Sequence, residues 1–384
     1  MNSPLDGVRV VELAGQGPVP FAGMMLADLG ADVIQVVRPD ATGPTDHRTD
    51  VLGRGRRSVA LDLKDPRAGD AVLALLDRSS VLIEGFRPGV AERLGLGPET
   101  CLARNPALVY GRVTGWGREG PYAQTAGHDL NYLALTGALH AIGTRGGPPV
   151  PPLNLVADYG GGGMLLAFGV VSALLGVERT GEGQVVDAAM VDGVAAMMAM
   201  FYPLVATGGW AQERGTNLLD SGAHFYAVYE TSDGRYVSVA AIEPRFYGAL
   251  LDGLGLDPAG LPDQMDASCW PSMKRRFAEI FRTRTRDEWR GVLEHSDTCF
   301  APVLAPLEAL AHPHHLARRT FQNVNGVPHP APAPRFGDAG PRPVPPPAPR
   351  PGEHTAEVLA EAGLSPAEIQ ALTTPQGAHH ARLH

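Results

Sequence analysis

The first third of the chain repeats one pattern, in which short apolar runs rich in β-branched residues alternate with helical segments. In chain order we predict a strand at 8–13, a helix at 21–29, a strand at 33–37, a strand at 58–63, a helix at 66–76, a strand at 81–84 and a strand at 108–114. Strand, helix and strand at this spacing form a βαβ unit with parallel strands. The pattern therefore predicts an α/β fold with a doubly wound, Rossmann-like large domain.

The remainder of the chain consists of segments that differ in composition and in predicted secondary structure. Two β-rich runs flank Ser232-Asp233-Gly234, which predicts a hairpin, and charged helices follow over 270–293. Together these segments indicate a smaller α/β domain. The stretch 328–351 is dense in proline and predicts an extended connector, not a packed element. The predicted boundaries are 1–190 for the first part of the large domain, 191–222 for a linker helix, 223–307 for the small domain, 308–351 for a proline-rich return linker and 352–384 for C-terminal helices that complete the large domain.

Charge and cysteine usage exclude several classes of protein. The net charge of −9 argues against a nucleic-acid binder, because no positive excess is present to neutralise phosphates. Three cysteines without a CxxC spacing argue against a disulfide framework and favour a reducing, cytoplasmic compartment. The most apolar run, 164–175, is shorter than the roughly 20 residues that span a bilayer, so we expect no membrane segment.

The turn after the first strand, Gly15-Gln16-Gly17-Pro18-Val19-Pro20, is superficially similar to a dinucleotide fingerprint. Pro20 stands where a third glycine is needed for close packing, and Pro18 removes a backbone donor. The second strand ends in Arg38, where an NAD enzyme usually carries an acid. Arginine there suits a ribose phosphate, which both NADP and coenzyme A carry, although a solvated charge at a strand end remains an alternative.

A second basic group, Arg54, Arg56 and Arg57, precedes the next strand, and Lys64 follows that strand. Guanidinium groups suit phosphate oxygens because they donate two parallel hydrogen bonds. The composition is equally consistent with a surface charge cluster. Both interpretations stay open at this level.

Three side chains could carry acid–base chemistry. His128 precedes a helix-forming run, and histidine is the residue type best suited to proton transfer at physiological pH, although a lone histidine is more often structural. Asp158 follows an apolar run at 153–157 that predicts a strand, and it precedes glycines 160–163. That placement exposes a carboxylate to ligand in α/β folds, and capping of the next helix is the competing role. Glu243 follows another predicted strand and could simply cap a helix.

Several longer motifs occur together in a fixed order. They are Val10-Val11-Glu12-Leu13, Leu26-Ala27-Asp28-Leu29-Gly30-Ala31, Gly127-His128-Asp129, Leu153-Asn154-Leu155-Val156-Ala157-Asp158, Gly183-Gln184-Val185-Val186-Asp187-Ala188, Ala241-Ile242-Glu243-Pro244 and Gly352-Glu353-His354-Thr355. With these motifs the chain resembles the α-methylacyl-CoA racemases of the family III CoA-transferase superfamily, from Gly7 to about Leu372.

The resemblance implies an interlocked homodimer with a large CoA-binding domain and a small domain. It implies that His128 and Asp158 are the two acid/base groups and that Glu243 orients the histidine. It implies no metal and no cofactor beyond the coenzyme A of the acyl-CoA substrate. The CoA contacts that it implies are Arg38, Leu61, Asp62, Leu63, Lys64, Gly127, Asp129, Leu130, Asn131 and Tyr132.

These residue types suit racemisation at the carbon beside a thioester, with a base on one face and an acid on the other. A family III CoA-transferase that uses Asp158 as a nucleophile is the nearest alternative. A non-catalytic acyl-CoA-binding protein and an NADP dehydrogenase are two further alternatives. The chain departs from the racemase pattern at Ser221 and His224, which bears on acyl-chain specificity. The 2-methylacyl group and the copy of the chain that supplies Glu243 stay open.

Overall fold

A computed structural model describes residues 3–13, 15–41, 49–337 and 340–373. The chain forms two compact units. Unit 1 comprises the described residues of Met1–Thr136, Leu153–Met197 and His314–His384, and unit 2 comprises Gly137–Pro152 and Met198–Pro313. The predicted first segment, 1–190, includes 137–152, which belong to unit 2.

Unit 1 is built on a six-stranded sheet in which every strand pair is parallel. Its strands are β1 (Arg9–Leu13), β2 (Asp32–Val37), β3 (Arg56–Ala60), β4 (Val81–Glu84), β5 (Val109–Thr114) and β6 (Val185–Ala189). Their spatial order is β3-β2-β1-β4-β5-β6. The chain therefore winds outward in two directions from β1, as the βαβ pattern of the sequence predicts.

The helices of the first part of unit 1 are α1 (Pro18–Asp28), α2 (Pro66–Leu76), α3 (Val90–Arg93), α4 (Pro98–Arg104) and α5 (Asp129–Leu135). One core cluster joins Val11, Ile34 and Leu82 of the strands to α2 and to the C-terminal helix that contains Val358. Helix α1 contacts β1, β2 and β4. An α/β fold with a parallel sheet is confirmed.

The segment around Asp158 differs from its prediction. Residues 153–157 are not a strand, because a π-helix spans Leu155–Met164 and leads into α7 (Leu165–Thr180). The glycines belong to this helix and allow close approach of its backbone to neighbouring helices. A Cβ on Gly163 would lie 2.8 Å from the carbonyl oxygen of Pro18, and one on Gly161 would lie 3.0 Å from that of Met190. Packing, which the local sequence does not show, therefore overrides the strand pattern.

The π-helix and α7 form one helical run of 26 residues, Leu155–Thr180. This run is long and apolar enough to cross a bilayer by length and composition alone, so the expectation that it is too short is wrong. The core helix of a globular protein passes the same test, and α7 packs against β5 and β6. The length is therefore weak evidence for a membrane span.

The arginine cluster (Arg54, Arg56 and Arg57) is occupied by carboxylates. Arg54 donates to both oxygens of Asp28 at 2.9 and 2.5 Å, and Arg56 donates to Oε2 of Glu12 at 2.8 and 2.9 Å. Both arginines are buried. Arg57 pairs with Asp32 and with Glu361 of the C-terminal helix. The interpretation of this cluster as a phosphate site is wrong, because buried acids already take its donors.

After β6, unit 1 continues through α8 (Met190–Met197). The chain then forms most of unit 2 and returns to unit 1 near its C-terminus. The later elements are α14 (Pro313–Arg318), the antiparallel pair β10 (Phe321–Val324) and β11 (Val327–Pro330), α15 (Thr355–Glu361) and α16 (Pro366–Thr373). The proline-rich stretch is irregular but packed. Gly55 donates its amide hydrogen to the carbonyl oxygen of Pro346, and Ala348 is buried. The expectation of an unpacked connector is wrong for these residues.

Unit 2 contains an antiparallel three-stranded sheet in the order β7-β8-β9. Its elements are α6 (Ala138–Ala141), α9 (Phe201–Ala206), β7 (Tyr226–Glu230), β8 (Tyr236–Ala240), α10 (Pro244–Gly253), a 3-10 turn (Pro258–Gly260), α11 (Trp270–Phe281), α12 (Arg286–Leu293), β9 (Phe300–Val303) and α13 (Pro306–Ala311). The predicted hairpin is β7 and β8. His224 is buried in an aromatic core, hydrogen-bonded to the Tyr247 hydroxyl at 2.8 Å, and burial lowers its pKa to about 4. His224 is therefore a neutral core residue of unit 2.

Candidate active site

A cavity of about 550 Å³ opens at the carboxyl ends of the central strands of unit 1. Its walls include the turn after β1 with the start of α1 (16–19), the loop after β4 (85–88) and the end of β5 with the residues that follow it (113–116). Between β1 and β4 the winding direction of the sheet reverses. Adjacent loops diverge at such a point and leave a crevice, which is where open α/β sheets bind their ligands.

The cavity brings together two of the three predicted acid/base residues, His128 and Asp158. His128 is exposed and immediately precedes α5, and Asp158 is half-buried in the first turn of the π-helix. Burial raises the pKa of the Asp158 carboxyl group. The negative charge of Asp129 also raises this pKa, and a hydrogen bond from Asn154 and the charge of His128 oppose the increase. The pair thus combines an imidazole with a carboxyl group whose acidity is weakened, which suits proton transfer.

Gly17, the residue before α1, allows the Asp158 carboxyl group to approach the backbone. A Cβ there would lie 2.8 Å from Oδ2 of Asp158, and its φ of +66° is one that side chains other than glycine rarely adopt. Pro18 and Pro20 remove two of the amide hydrogens that a helix N-terminus normally presents to an anion. The N-terminus of α1 is therefore poorly equipped to hold a pyrophosphate, in agreement with the sequence argument against a dinucleotide site.

The residues from Gly127 to Tyr132, which are predicted to contact CoA, differ in their surroundings: some line the cavity and others do not. Gly127 and Tyr132 line the cavity, and the Tyr132 hydroxyl donates to the Gly127 carbonyl oxygen at 2.5 Å. Asn131 accepts the amide hydrogen of His128 at 3.0 Å. The carboxylate of Asp129 is buried and accepts the amide hydrogens of Ala157 and Asp158. The remaining member of the run, Leu130, is exposed.

The other predicted CoA contacts follow β2 and β3. Arg38 is exposed, with Oδ1 of Asp40 at 3.4 Å. Leu61 is buried in the core, Asp62 and Lys64 are exposed, and Leu63 is partly buried. Leu63 and Lys64 border a second cavity, of about 330 Å³. Because all these residues follow parallel strands, they lie at the same edge of the sheet as the first cavity.

Glu243 lies in unit 2, where it directly precedes α10. Its side chain is exposed and makes no capping hydrogen bond to the helix, so the alternative of a simple helix cap is not supported. Its predicted role toward His128 stays a prediction.

Sequence reasoning missed several residues that line the cavity. They are Gln16, Leu52, Phe86, Arg87, Trp116, Asn154, Tyr159 and Met190. The ring of Trp116 meets that of Tyr132 edge-on, with centroids 4.7 Å apart. Arg87 was predictable in principle, since it follows β4 and the loops after parallel strands meet at one edge. Among the described residues, no cluster of three or more potential ligands is placed to hold a metal ion.

Comparison with known proteins places this geometry in a family. The family model described as CoA-transferase family III matches residues 5–355. The chain is 47% identical to an α-methylacyl-CoA racemase of Mus musculus, with 95% of each chain covered, and 45% identical to that of Homo sapiens, with 96% of each covered. A crystal structure of a CAIB/BAIF family protein from Brucella suis superimposes with a TM-score of 0.80 at 28% identity, over 94% of this chain and 100% of that one. The chain belongs to CoA-transferase family III.

Proposed function

We propose that the protein racemises 2-methylacyl-CoA thioesters at the α-carbon, as an isomerase that uses His128 and Asp158 as its two proton-transfer groups. One observation carries the proposal: both side chains face the same cavity at the switch point of the sheet, and burial raises the pKa of the Asp158 carboxyl group. The similarity to mouse and human proteins named α-methylacyl-CoA racemase, at 47% and 45% identity, supports the same reaction.

The reaction needs two proton transfers and no change of oxidation state. Neutral His128 removes the α-proton, the electron pair moves toward the thioester oxygen, and protonated Asp158 delivers a proton to the opposite face. In the other direction the two residues exchange roles. Proton transfer by a positioned side chain contributes typically about 10²–10⁴-fold to a rate. Because only protons move, the chemistry requires neither a metal nor a redox cofactor, and coenzyme A is part of the substrate.

The length of coenzyme A accounts for the predicted contacts at the outer strands. Neighbouring strands lie roughly 4.8 Å apart, so β3 is about 10 Å from β1 across the sheet. A thioester at the β1/β4 crevice can therefore extend along the carboxyl edge toward Arg38 and Lys64. Guanidinium and ammonium groups there suit the phosphates of the nucleotide end.

Glu243 and the homodimer complete the proposal. As the family resemblance implies, Glu243 orients His128 and stabilises the imidazolium that forms when His128 takes up the α-proton. Met164, Phe168 and Leu175 recur on the π-helix and α7 with more than half of each side chain exposed. Isolated chains rarely present such apolar surface, and a second, interlocked copy of this chain would cover it. The free cysteines Cys101, Cys269 and Cys299 are consistent with a cytoplasmic location.

The decisive experiment follows the α-hydrogen of R- and S-2-methylacyl-CoA in heavy water, with and without a free carboxylic acid as CoA acceptor. We expect deuterium uptake and inversion from either enantiomer, without an acceptor requirement. A family III CoA-transferase with Asp158 as nucleophile would instead transfer CoA to the acid without α-deuterium uptake. A non-catalytic binding protein would show neither reaction.

Variants assign the two faces of the α-carbon. His128→Ala should abolish inversion and keep slow exchange only for the enantiomer whose α-hydrogen faces Asp158, and Asp158→Ala should show the opposite preference. Full inversion by the Asp158→Ala protein would contradict the two-base assignment.

A further inference from the structure

Asp129 occupies an unusual position next to the proton-transfer pair. It is the first residue of α5, directly after His128, and only 7% of its surface is exposed. Its Oδ2 accepts the amide hydrogen of Ala157 at 2.9 Å and that of Asp158 at 2.8 Å. One carboxylate therefore joins the residue after His128 to the backbone of Asp158.

The incomplete hydrogen bonding of the buried Asp129 carboxylate indicates a role beyond packing. Within the described residues, Oδ1 of Asp129 has no hydrogen-bond partner. A buried carboxylate that uses one of its two oxygens destabilises a fold unless its remaining contacts compensate. Such a group in a native protein is often retained for its chemistry.

The geometry shows what Asp129 does for the site. The first amide hydrogens of a helix have no acceptor within that helix, and here a side chain from α5 accepts two of them in the π-helix. On the other side of the link, Asn131 accepts the amide hydrogen of His128. The first turn of α5 thus holds the backbone of both reactive residues.

We propose that Asp129 is a positioning residue that fixes the Asp158 carboxyl group relative to His128. This inference rests on the proposed function for its consequence in catalysis, but not for its structural content. A displacement of about 1 Å at a reacting group costs on the order of 10²-fold in rate, so loss of the link should lower kcat more than it raises KM.

The charge of Asp129 adds an electrostatic effect to this role. After burial, the Asp129 carboxylate is a further cause of the raised pKa of Asp158. The titratable and charged groups that face Asp158 are His128 and Asp129, Tyr132 on α5, and Arg87 on the loop after β4. Like charges close together disfavour ionisation, so Asp129 helps to keep Asp158 protonated at higher pH.

Two substitutions separate position from charge. Asp129→Asn keeps an oxygen acceptor for the two amides and removes the charge, whereas Asp129→Ala removes both. Asp257→Asn is the matched control, because Asp257 also accepts a backbone amide hydrogen at a helix start, that of Ala259, but lies in unit 2. We expect Asp129→Ala to lower kcat by about 10–100-fold with little change in KM, and Asp257→Asn to match the wild type.

A readout independent of racemisation tests the electrostatic part. In protein labelled with [γ-¹³C]aspartate, the Asp158 resonance is identified by its absence from an Asp158→Asn variant, and its titration is followed by NMR. We expect the Asp158 carboxyl group to titrate at lower pH in Asp129→Asn than in the wild type. The pH–rate profile of this variant should move in the same direction.

The outcomes distinguish the two proposals. If a folded Asp129→Ala protein keeps the wild-type kcat, the positioning role is wrong. If Asp158 titrates at the same pH in Asp129→Asn and the wild type, the electrostatic effect is wrong. If the wild type shows no α-deuterium exchange while the Asp158 titration still shifts, the proposed function is wrong and the electrostatic coupling of Asp129 to Asp158 stands.

Discussion

Two regions of unit 1 satisfy their buried charge differently. In the arginine cluster, Arg54 and Arg56 meet carboxylates at 2.5–2.9 Å. At the cavity, Asp129 and Asp158 have, in the part of the chain that the structure describes, only amide donors as hydrogen-bond partners. Burial raises the pKa of Asp28 in the cluster and of Asp158 at the cavity, but Asp28 is held by an arginine, whereas Asp158 lines a cavity that a ligand can enter. The comparison teaches that buried charge is informative about function only after its partners are known.

The largest expected effect on stability comes from removing one partner of a buried ion pair in the arginine cluster. Arg56→Met leaves the buried Glu12 carboxylate uncompensated, so we expect the free energy of unfolding to fall by about 3–5 kcal/mol in urea titrations. Arg67→Met is the matched control, because Arg67 pairs with Asp65 at 2.6 Å with an exposed guanidinium, and exposed pairs contribute little to stability. Equal losses in the two variants would mean that burial does not distinguish the pairs.

A smaller effect concerns Arg38, an exposed cation whose described partner, Asp40, lies 3.4 Å away. If Arg38 contacts the ribose phosphate of coenzyme A, Arg38→Ala should weaken binding of an acyl-CoA by about 1–3 kcal/mol in calorimetry. With the 3′-dephospho analogue, the mutant and the wild type should bind almost equally. A defect of the same size with both ligands would assign Arg38 another role.

The smallest effect concerns Glu84 at the end of β4. This carboxyl group is intermediate between those held closely by an arginine and those with only amide donors. Burial raises its pKa to about 7, although Arg112 lies on the neighbouring strand with its Nε 3.6 Å from Oε1. A carboxyl group with a raised folded-state pKa stabilises the fold fully below its unfolded pKa, and this contribution is lost as the pH rises through about 7.

Glu84→Gln removes this dependence, so from pH 6 to pH 8 the mutant should gain about 1 kcal/mol of stability relative to the wild type. The measurement is urea unfolding at both pH values. A stability difference that does not vary with pH would place Glu84 among the fully paired carboxylates.

Much of unit 1 could be predicted from local pattern. The helix Pro66–Leu76 and the strand Val81–Glu84 have the predicted bounds, because a proline at N1 and a β-branched run are local signals. The family was also recognisable from its ordered motifs and is confirmed by the match over residues 5–355. His128 and Asp158, the predicted acid/base pair, both line one cavity, and their roles stay proposals.

The errors share one physical cause, which is that partners distant in the chain decide a residue's environment. The run 153–157 looks like a strand, yet from Leu155 onward it is helical, and Asp129 accepts the amide hydrogens of Ala157 and Asp158 there. Arg54 looks available to a phosphate until Asp28 is brought beside it by packing. Neither contact has a local signature in the sequence.

The glycine-lined face of the π-helix bears on any attempt to broaden substrate acceptance by directed evolution. Even a methyl group on Gly162 would lie 2.9 Å from a Pro18 side-chain atom and equally close to Met190. Any larger side chain there therefore requires Pro18 or Met190 to shift. The loops after β4 and β5 present Phe86, Arg87 and Trp116 as side chains at the cavity wall, and these positions leave the helix backbone undisturbed. Substitutions that reshape the cavity are therefore better placed in the loops that surround the π-helix than on the helix itself.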